Sequence, residues 1–118
     1  MTIPVKITFK DFEHSDAVET RVRERVDKLV RLYDRITDCR VVLQAPHQHH
    51  HKGKLYGVRV DVIVPGAELV VNHDKHEKHE HEDLYVAIRD AFQAIERQVS
   101  QFAEKHRGHD GPQKEVAE

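Results

Sequence analysis

The chain has 118 residues, about a third of them charged, with a formal net charge of −2 and a single cysteine. That length supports one hydrophobic core and not two, one cysteine excludes an intrachain disulfide, and no apolar run approaches the ~18 residues of a membrane span. A near-neutral total does not advertise nucleic acid, because counterion release depends on clustered Lys and Arg rather than on the average.

The N-terminus lacks the apolar stretch of a signal peptide, so a cytoplasmic location is expected. Val5, Ile7 and Phe9 alternate with Lys6, Thr8 and Lys10, the period of a half-buried first strand. Ser15 or Asp16 then suits a helix cap, with Asp16 and Glu19 spaced like a capping box. Val22, Val26, Leu29, Tyr33 and Ile36 follow at three- and four-residue steps and predict a first amphipathic helix along that face. Arg40 to Ala45 reads as a second strand, with Cys39 a small residue at the edge of the core. Val58, Val60, Val62 and Val64 define a third strand. Pro65-Gly66 suits a tight turn, and Leu69 to Asn72 makes a fourth strand. Ile88, Phe92, Ile95, Val99 and Phe102 mark a second helix. From about Arg107 the composition is polar, so residues 1–106 are expected to form the domain and 107–118 a disordered tail.

The predicted order is β-α-β-β-β-α, an α+β fold with a four-stranded mixed sheet and two helices packed on one face. A helical crossover makes the first two strands parallel, and short turns make the remaining pairs antiparallel.

Charge is unevenly placed: residues 66–118 hold twelve Asp/Glu against seven Lys/Arg, while residues 1–65 have a basic excess. On the first helix, Arg21, Lys28 and Arg35 are seven apart on nearly one flank, with Arg31 close by. On the second, Arg89 and Arg97 bracket Gln93 at four-residue steps. Side-by-side helices would join these rows into one basic surface able to track phosphates. Basic residues on a helix face are more often simply solvated, and pattern alone does not choose.

Two further blocks are specific enough to carry a resemblance. Asp83-Leu84-Tyr85-Val86-Ala87-Ile88, followed by Ile95-Glu96-Arg97-Gln98-Val99, resembles the final helix of the ribosome hibernation-promoting factors and the related ribosome-associated inhibitor A. Leu32-Tyr33-Asp34-Arg35-Ile36 with Val41-Val42-Leu43 resembles their helix-to-strand passage. The likeness spans roughly residues 3 to 105.

The resemblance implies a fold similar to a double-stranded-RNA-binding domain with an added strand. It also implies a non-enzymatic protein that sits in the decoding region of the small ribosomal subunit and occupies the path of messenger and transfer RNA. Its partners would be that subunit and its rRNA, not DNA and not a membrane, with the isolated protein expected to be a monomer. Lys28, Arg35 and Arg97 fall where the family commonly has basic residues, and Tyr85 fits its helix-opening Tyr, a residue expected to pack the core rather than touch RNA. The rRNA-binding set is therefore Arg21, Lys28, Arg31, Arg35, Arg89 and Arg97. Two departures stand out: Ala94 replaces a frequent Lys, and Arg89 follows Ala87-Ile88 where an Asp is usual. The dimerisation domain of the long-form members is not expected here.

Eleven histidines are unusual in so short a chain, and eight lie in two segments, His47, His49, His50 and His51, then His73, His76, His79 and His81. The predicted topology brings both segments, and His14, to one rim of the domain. Imidazoles interleaved with Asp74, Glu77, Glu80 and Glu82 would suit Zn, Ni or Cu, although no metal is required by the fold. No HExxH-type helix accompanies them, which argues against a catalytic zinc centre. Two other readings stay open: a rim that gains positive charge on mild acidification and tightens RNA binding, and a merely solvated loop. The histidines offer one alternative to the ribosome reading, a metal-binding or metal-sensing protein, and the sheet-and-two-helix architecture alone offers another, a general RNA chaperone or double-stranded RNA binder.

Overall fold

The computed structural model describes residues 3–45, 56–73 and 83–110. The element order is β1 (Val5–Lys10), α1 (Asp16–Leu32), β2 (Asp38–Gln44), β3 (Gly57–Val64), β4 (Ala67–His73) and α2 (Leu84–Asp110). The four strands form one sheet in the order β1-β2-β3-β4. β1 runs parallel to β2, with Val5 opposite Cys39 and Lys10 opposite Gln44; β2–β3 and β3–β4 are antiparallel. The α+β class and strand order match the expectation.

Alternation decides which face of the sheet is covered. Cys39, Val41 and Leu43 of β2 and Val58, Val60, Val62 and Val64 of β3 are buried beneath the helices, while Arg40 and Arg59 point the other way and are exposed. The helices complete the core from above with Val22, Val26 and Leu29 of α1 and Ile88, Phe92, Ile95 and Val99 of α2. Ala87 and Ala91, both fully buried, keep α2 close to its neighbours because they have no side chain beyond Cβ. Gln98 of α2 donates from Nε2 to the Val70 carbonyl at 3.0 Å, tying the helix to the edge strand β4.

Local chemistry sets the element ends. Ser15, in extended backbone, is the N-cap of α1, and its Oγ accepts from the Val18 amide at 3.3 Å. The expected Asp16–Glu19 box is not formed: Glu19 pairs instead with His14 and Arg23, at 2.5 and 2.9 Å. Those two hydrogen bonds, His14's first, hold the Glu19 carboxyl below its ordinary range. Asp83 caps α2, its Oδ1 accepting from the Tyr85 and Val86 amides at 2.9 and 3.4 Å. The Pro65-Gly66 turn has Gly66 at φ 84° with nothing near a hypothetical Cβ. Backbone conformation, not space, therefore requires glycine there.

Several boundaries differ from the sequence reading. α1 stops at Leu32, where Tyr33 adopts extended backbone at φ −151°. Ile36 is still buried, but from the connection rather than from the helix face, and Arg35 likewise lies beyond the helix. β2 begins at Asp38 instead of Arg40, and β4 runs over Ala67–His73. α2 extends to Asp110, so the expected boundary at residue 107 falls inside a helix; residues 111–118 lie outside the described residues.

Cys39 sits within the core rather than at its edge, fully buried on an interior strand. Burial, with help from the Asp38 and Asp61 charges, pushes its thiol up to about 12. A thiol reagent at pH 8 should therefore label the native protein far more slowly than the denatured chain. Comparable rates, followed spectroscopically, would contradict the burial. Because only the unfolded chain releases this proton in the ordinary thiol range, Cys39 leaves stability unaffected below that range and lowers it as pH rises above.

Candidate nucleic-acid interface

The two helices start at the same end of the sheet and run in the same direction. β1 ends beside the end of β2 (Lys10 opposite Gln44), and β4 ends beside the start of β3 (His73 opposite Val58). Both helices therefore leave from that rim. Contacts along the seam follow in parallel order: Arg21 over Tyr85, Arg25 and Lys28 on Glu96, then Tyr33 edge-on to Phe102 with ring centroids 5.9 Å apart.

This seam gathers five of the six predicted basic residues. At the end away from the rim, Lys28, Arg31 and Arg97 line one open groove together with Leu32, Gln93 and Gln101. Neither Arg31 nor Arg97 has an ion-pair partner among the described residues. At the rim end, Arg21 and Arg89 line a smaller cleft with Arg25 and Tyr85. Arg35 does not join either groove lining, because α1 has ended before it.

Two seam residues escaped the sequence reading. Arg25 lies four residues after Arg21 and three before Lys28, which places it on the same flank. Its side chain is only 20% exposed and bonds through Nη2 to Glu96 Oε2 at 3.2 Å. Glu96, noticed as part of a motif but not for its charge, is 17% exposed and also faces Lys28 Nζ at 3.8 Å. One carboxylate thus links two cations of α1 to α2. At the rim end, Arg21 faces Glu24 at 3.5 Å and Arg89 faces Asp90 at 3.0 Å. The cationic surface is therefore graded, balanced at the rim end and unanswered around Arg31 and Arg97.

Tyr85 overturns its expected core role. It is 40% exposed, and the Arg21 guanidinium sits 5.2 Å from its ring centroid. As the second residue of α2 it lies on the solvent side of the seam, while Leu84, Ala87 and Ile88 supply the packing.

The ends of β1, β2 and β4 and the start of β3 share one end of the sheet, but of the eight histidines assigned to a rim there only His73 is described, half-buried at the end of β4. His47, His49, His50, His51, His76, His79 and His81 lie outside the described residues. Among the described residues, the one group with metal-ligand character is His14, Asp16 and Glu19, whose donor atoms lie within 4.8 Å of one another. Its members are already paired: His14 Nδ1 lies 3.4 Å from Asp16, and Glu19 is shared between His14 and Arg23. No described helix is long and apolar enough to cross a membrane.

Comparison with known proteins fits this geometry. The chain is 30% identical over 101 residues to a ribosome hibernation promoting factor of Azotobacter vinelandii, covering 86% of this chain and 83% of that protein. It is 28% identical over 101 residues to a ribosome hibernation promotion factor of Deinococcus radiodurans, of which it spans about half, 49%. The crystal structure of the Thermus thermophilus Protein Y N-terminal domain superposes with a TM-score of 0.64 at 27% identity, covering 86% of this chain and 99% of that one. A ribosomal subunit interface protein from Coxiella burnetii shares the fold, with a TM-score of 0.68 at 14% identity and the same coverages. The family model for the Sigma 54 modulation protein / S30EA ribosomal proteins matches residues 5–107, and the chain belongs to that family.

Proposed function

We propose that this protein is a ribosome hibernation factor that binds the small subunit through its helix seam and blocks the path of messenger and transfer RNA. The observation that carries the reading is the convergence of Lys28, Arg31 and Arg97 on one open groove in a chain of this family. Three cations on one surface suit consecutive rRNA phosphates, and release of counterions supplies affinity without base reading. Occupancy is the whole action in this reading: no bond is made or broken, and the protein works in the cytoplasm, where its partner is. Arg21 and Arg89 extend the surface toward the rim, and Arg35 lies beyond it.

The metal reading has less behind it. His14, Asp16 and Glu19 form a suitable donor set, but a cation there must displace Arg23 and open a short His14–Glu19 contact. The other histidines of the two segments, apart from His73, lie outside the described residues.

Co-sedimentation with purified small subunits at two salt concentrations, with and without chelator, separates the two. Salt-sensitive and chelator-insensitive binding is expected. Lys28→Glu combined with Arg97→Glu should nearly abolish it, and neutralising either residue alone should flatten the salt dependence by roughly 0.7–0.9 in log–log slope for each phosphate no longer neutralised. Binding that requires added metal, or that survives the double reversal, would contradict the proposal.

Glu96 makes a second, less obvious prediction. Glu96→Gln removes the carboxylate shared by Arg25 and Lys28, so thermal or chemical denaturation should show a loss on the order of 1–2 kcal/mol. That estimate lies between an exposed pair and a broken buried one. At low salt the same variant should bind subunits more tightly, since two cations are freed for phosphate. A variant that is both less stable and weaker in binding would show that Glu96 positions the cations instead of masking them.

A further inference from the structure

The cleft at the rim end of the seam differs in kind from the groove at the far end. It has a volume of about 290 Å³ and is lined by Arg21, Arg25, Tyr85, Val86, Ile88 and Arg89. That is the small end of the roughly 300–1,000 Å³ range of ligand sites, enough for one planar ring system and little more. Each guanidinium in it is answered by a carboxylate: Arg21 by Glu24, Arg89 by Asp90 and Arg25 by Glu96. A phosphate entering here meets guanidiniums already engaged by carboxylates, in contrast to Arg31 and Arg97.

What the cleft does present is a large aromatic surface that the fold does not use. Tyr85 is held in place from two sides, by the Asp83 cap on its backbone amide and by Arg21 against its ring. The residue is still 40% exposed. Arg25 adds a donor in need of an acceptor: its Nε is buried and has no hydrogen-bond partner among the described residues. A small rotation of that guanidinium toward the cleft would offer the N–H to an acceptor on a ligand's edge.

We infer that this cleft is the seat of a single splayed-out RNA base, stacked on the Tyr85 ring and hydrogen-bonded at its edge by Arg25. A planar ligand with acceptors on its rim suits an aromatic cleft whose guanidiniums are already ion-paired better than a bare phosphate does. The inference rests on the ribosome-binding reading and adds to it: the far groove supplies salt-dependent affinity, and the rim cleft selects RNA with an unpaired base at a fixed distance along the seam.

The test uses the intact chain with small subunits and, in parallel, two short single-stranded RNAs of equal length, one of mixed sequence and one abasic. Tyr85→Ala should weaken subunit binding roughly 5- to 150-fold, the loss of one base–aromatic stack, with the salt dependence unchanged. Tyr85→Phe should bind as the parent does. Because the chain contains no tryptophan, Tyr85→Trp creates a single reporter, expected to be quenched by subunits and by the mixed-sequence RNA but not by the abasic one. Tyr85→Ala binding within twofold of the parent overturns the inference. So does equal quenching by the two RNAs, or a Tyr85→Trp variant that binds subunits with unchanged emission, the outcome expected if Tyr85 faces a ribosomal protein. Failure of the parent chain to sediment with subunits instead overturns the ribosome reading, and quenching by the base-bearing RNA alone would then leave the base seat standing by itself.

Discussion

Because β1 runs parallel to β2, the chain has to return from one end of the sheet to the other between them, and α1 is that crossing. The remaining geometry follows from it. α1 must start at the rim where β1 ends, and two antiparallel pairings then bring β4 back to the same rim. α2 starts there too, so the helices lie parallel, with Arg21 beside Tyr85 at one end and Tyr33 beside Phe102 at the other. An antiparallel first pairing would have turned α1 around and separated Lys28 and Arg31 from Arg97.

The seam is an electrostatic compromise. Two helices that both carry cations toward the same surface repel one another, and Glu96 offsets this by accepting from Arg25 and facing Lys28. Its partial burial makes the contact stronger than an exposed pair, because water screens it less. The cost is a reduced positive potential in the middle of the surface. Arg31 and Arg97, in the same groove, have no ion-pair partner among the described residues. The molecule thus divides its labour along one line: hydrophobic packing and one bridging carboxylate join the helices, and Arg31 and Arg97, which the fold does not consume, stay exposed on the open groove.

Much of the fold was legible in the chain because its strands and helices have unambiguous periods. The alternating valines of β3 admit one face, and the Pro65-Gly66 turn fixes the register between β3 and β4. The end of α1 was less legible: Tyr33 and Ile36 continue the helical spacing, but the backbone leaves the helix at Tyr33 and buries Ile36 by another route. Arg35 was lost from the basic row for the same reason. Sequence spacing placed five cations correctly on the seam, yet Arg25 and Glu96 were missed, since a pairing between residues 71 positions apart depends on tertiary packing rather than on local pattern. Tyr85 was misjudged because tyrosine is usually buried in part, and only the rotation of α2 on the sheet decides which of its first-turn residues faces out. The histidine pattern was legible as composition, while its chemistry depends on side-chain placements that no spacing rule supplies.

The most direct test of the account is which face of the protein meets rRNA. Cys39 is buried, with its thiol pushed up to about 12, so a short photo-cross-linker can be attached to a single introduced cysteine, Gln93→Cys in the far groove or Asn72→Cys on the face of the sheet away from the helices. Cross-links from position 93 to small-subunit rRNA, competed away by messenger and transfer RNA and much weaker from position 72, are the predicted result. Equal or stronger cross-linking from the sheet face, or none from either position under conditions where the protein sediments with subunits, would contradict it.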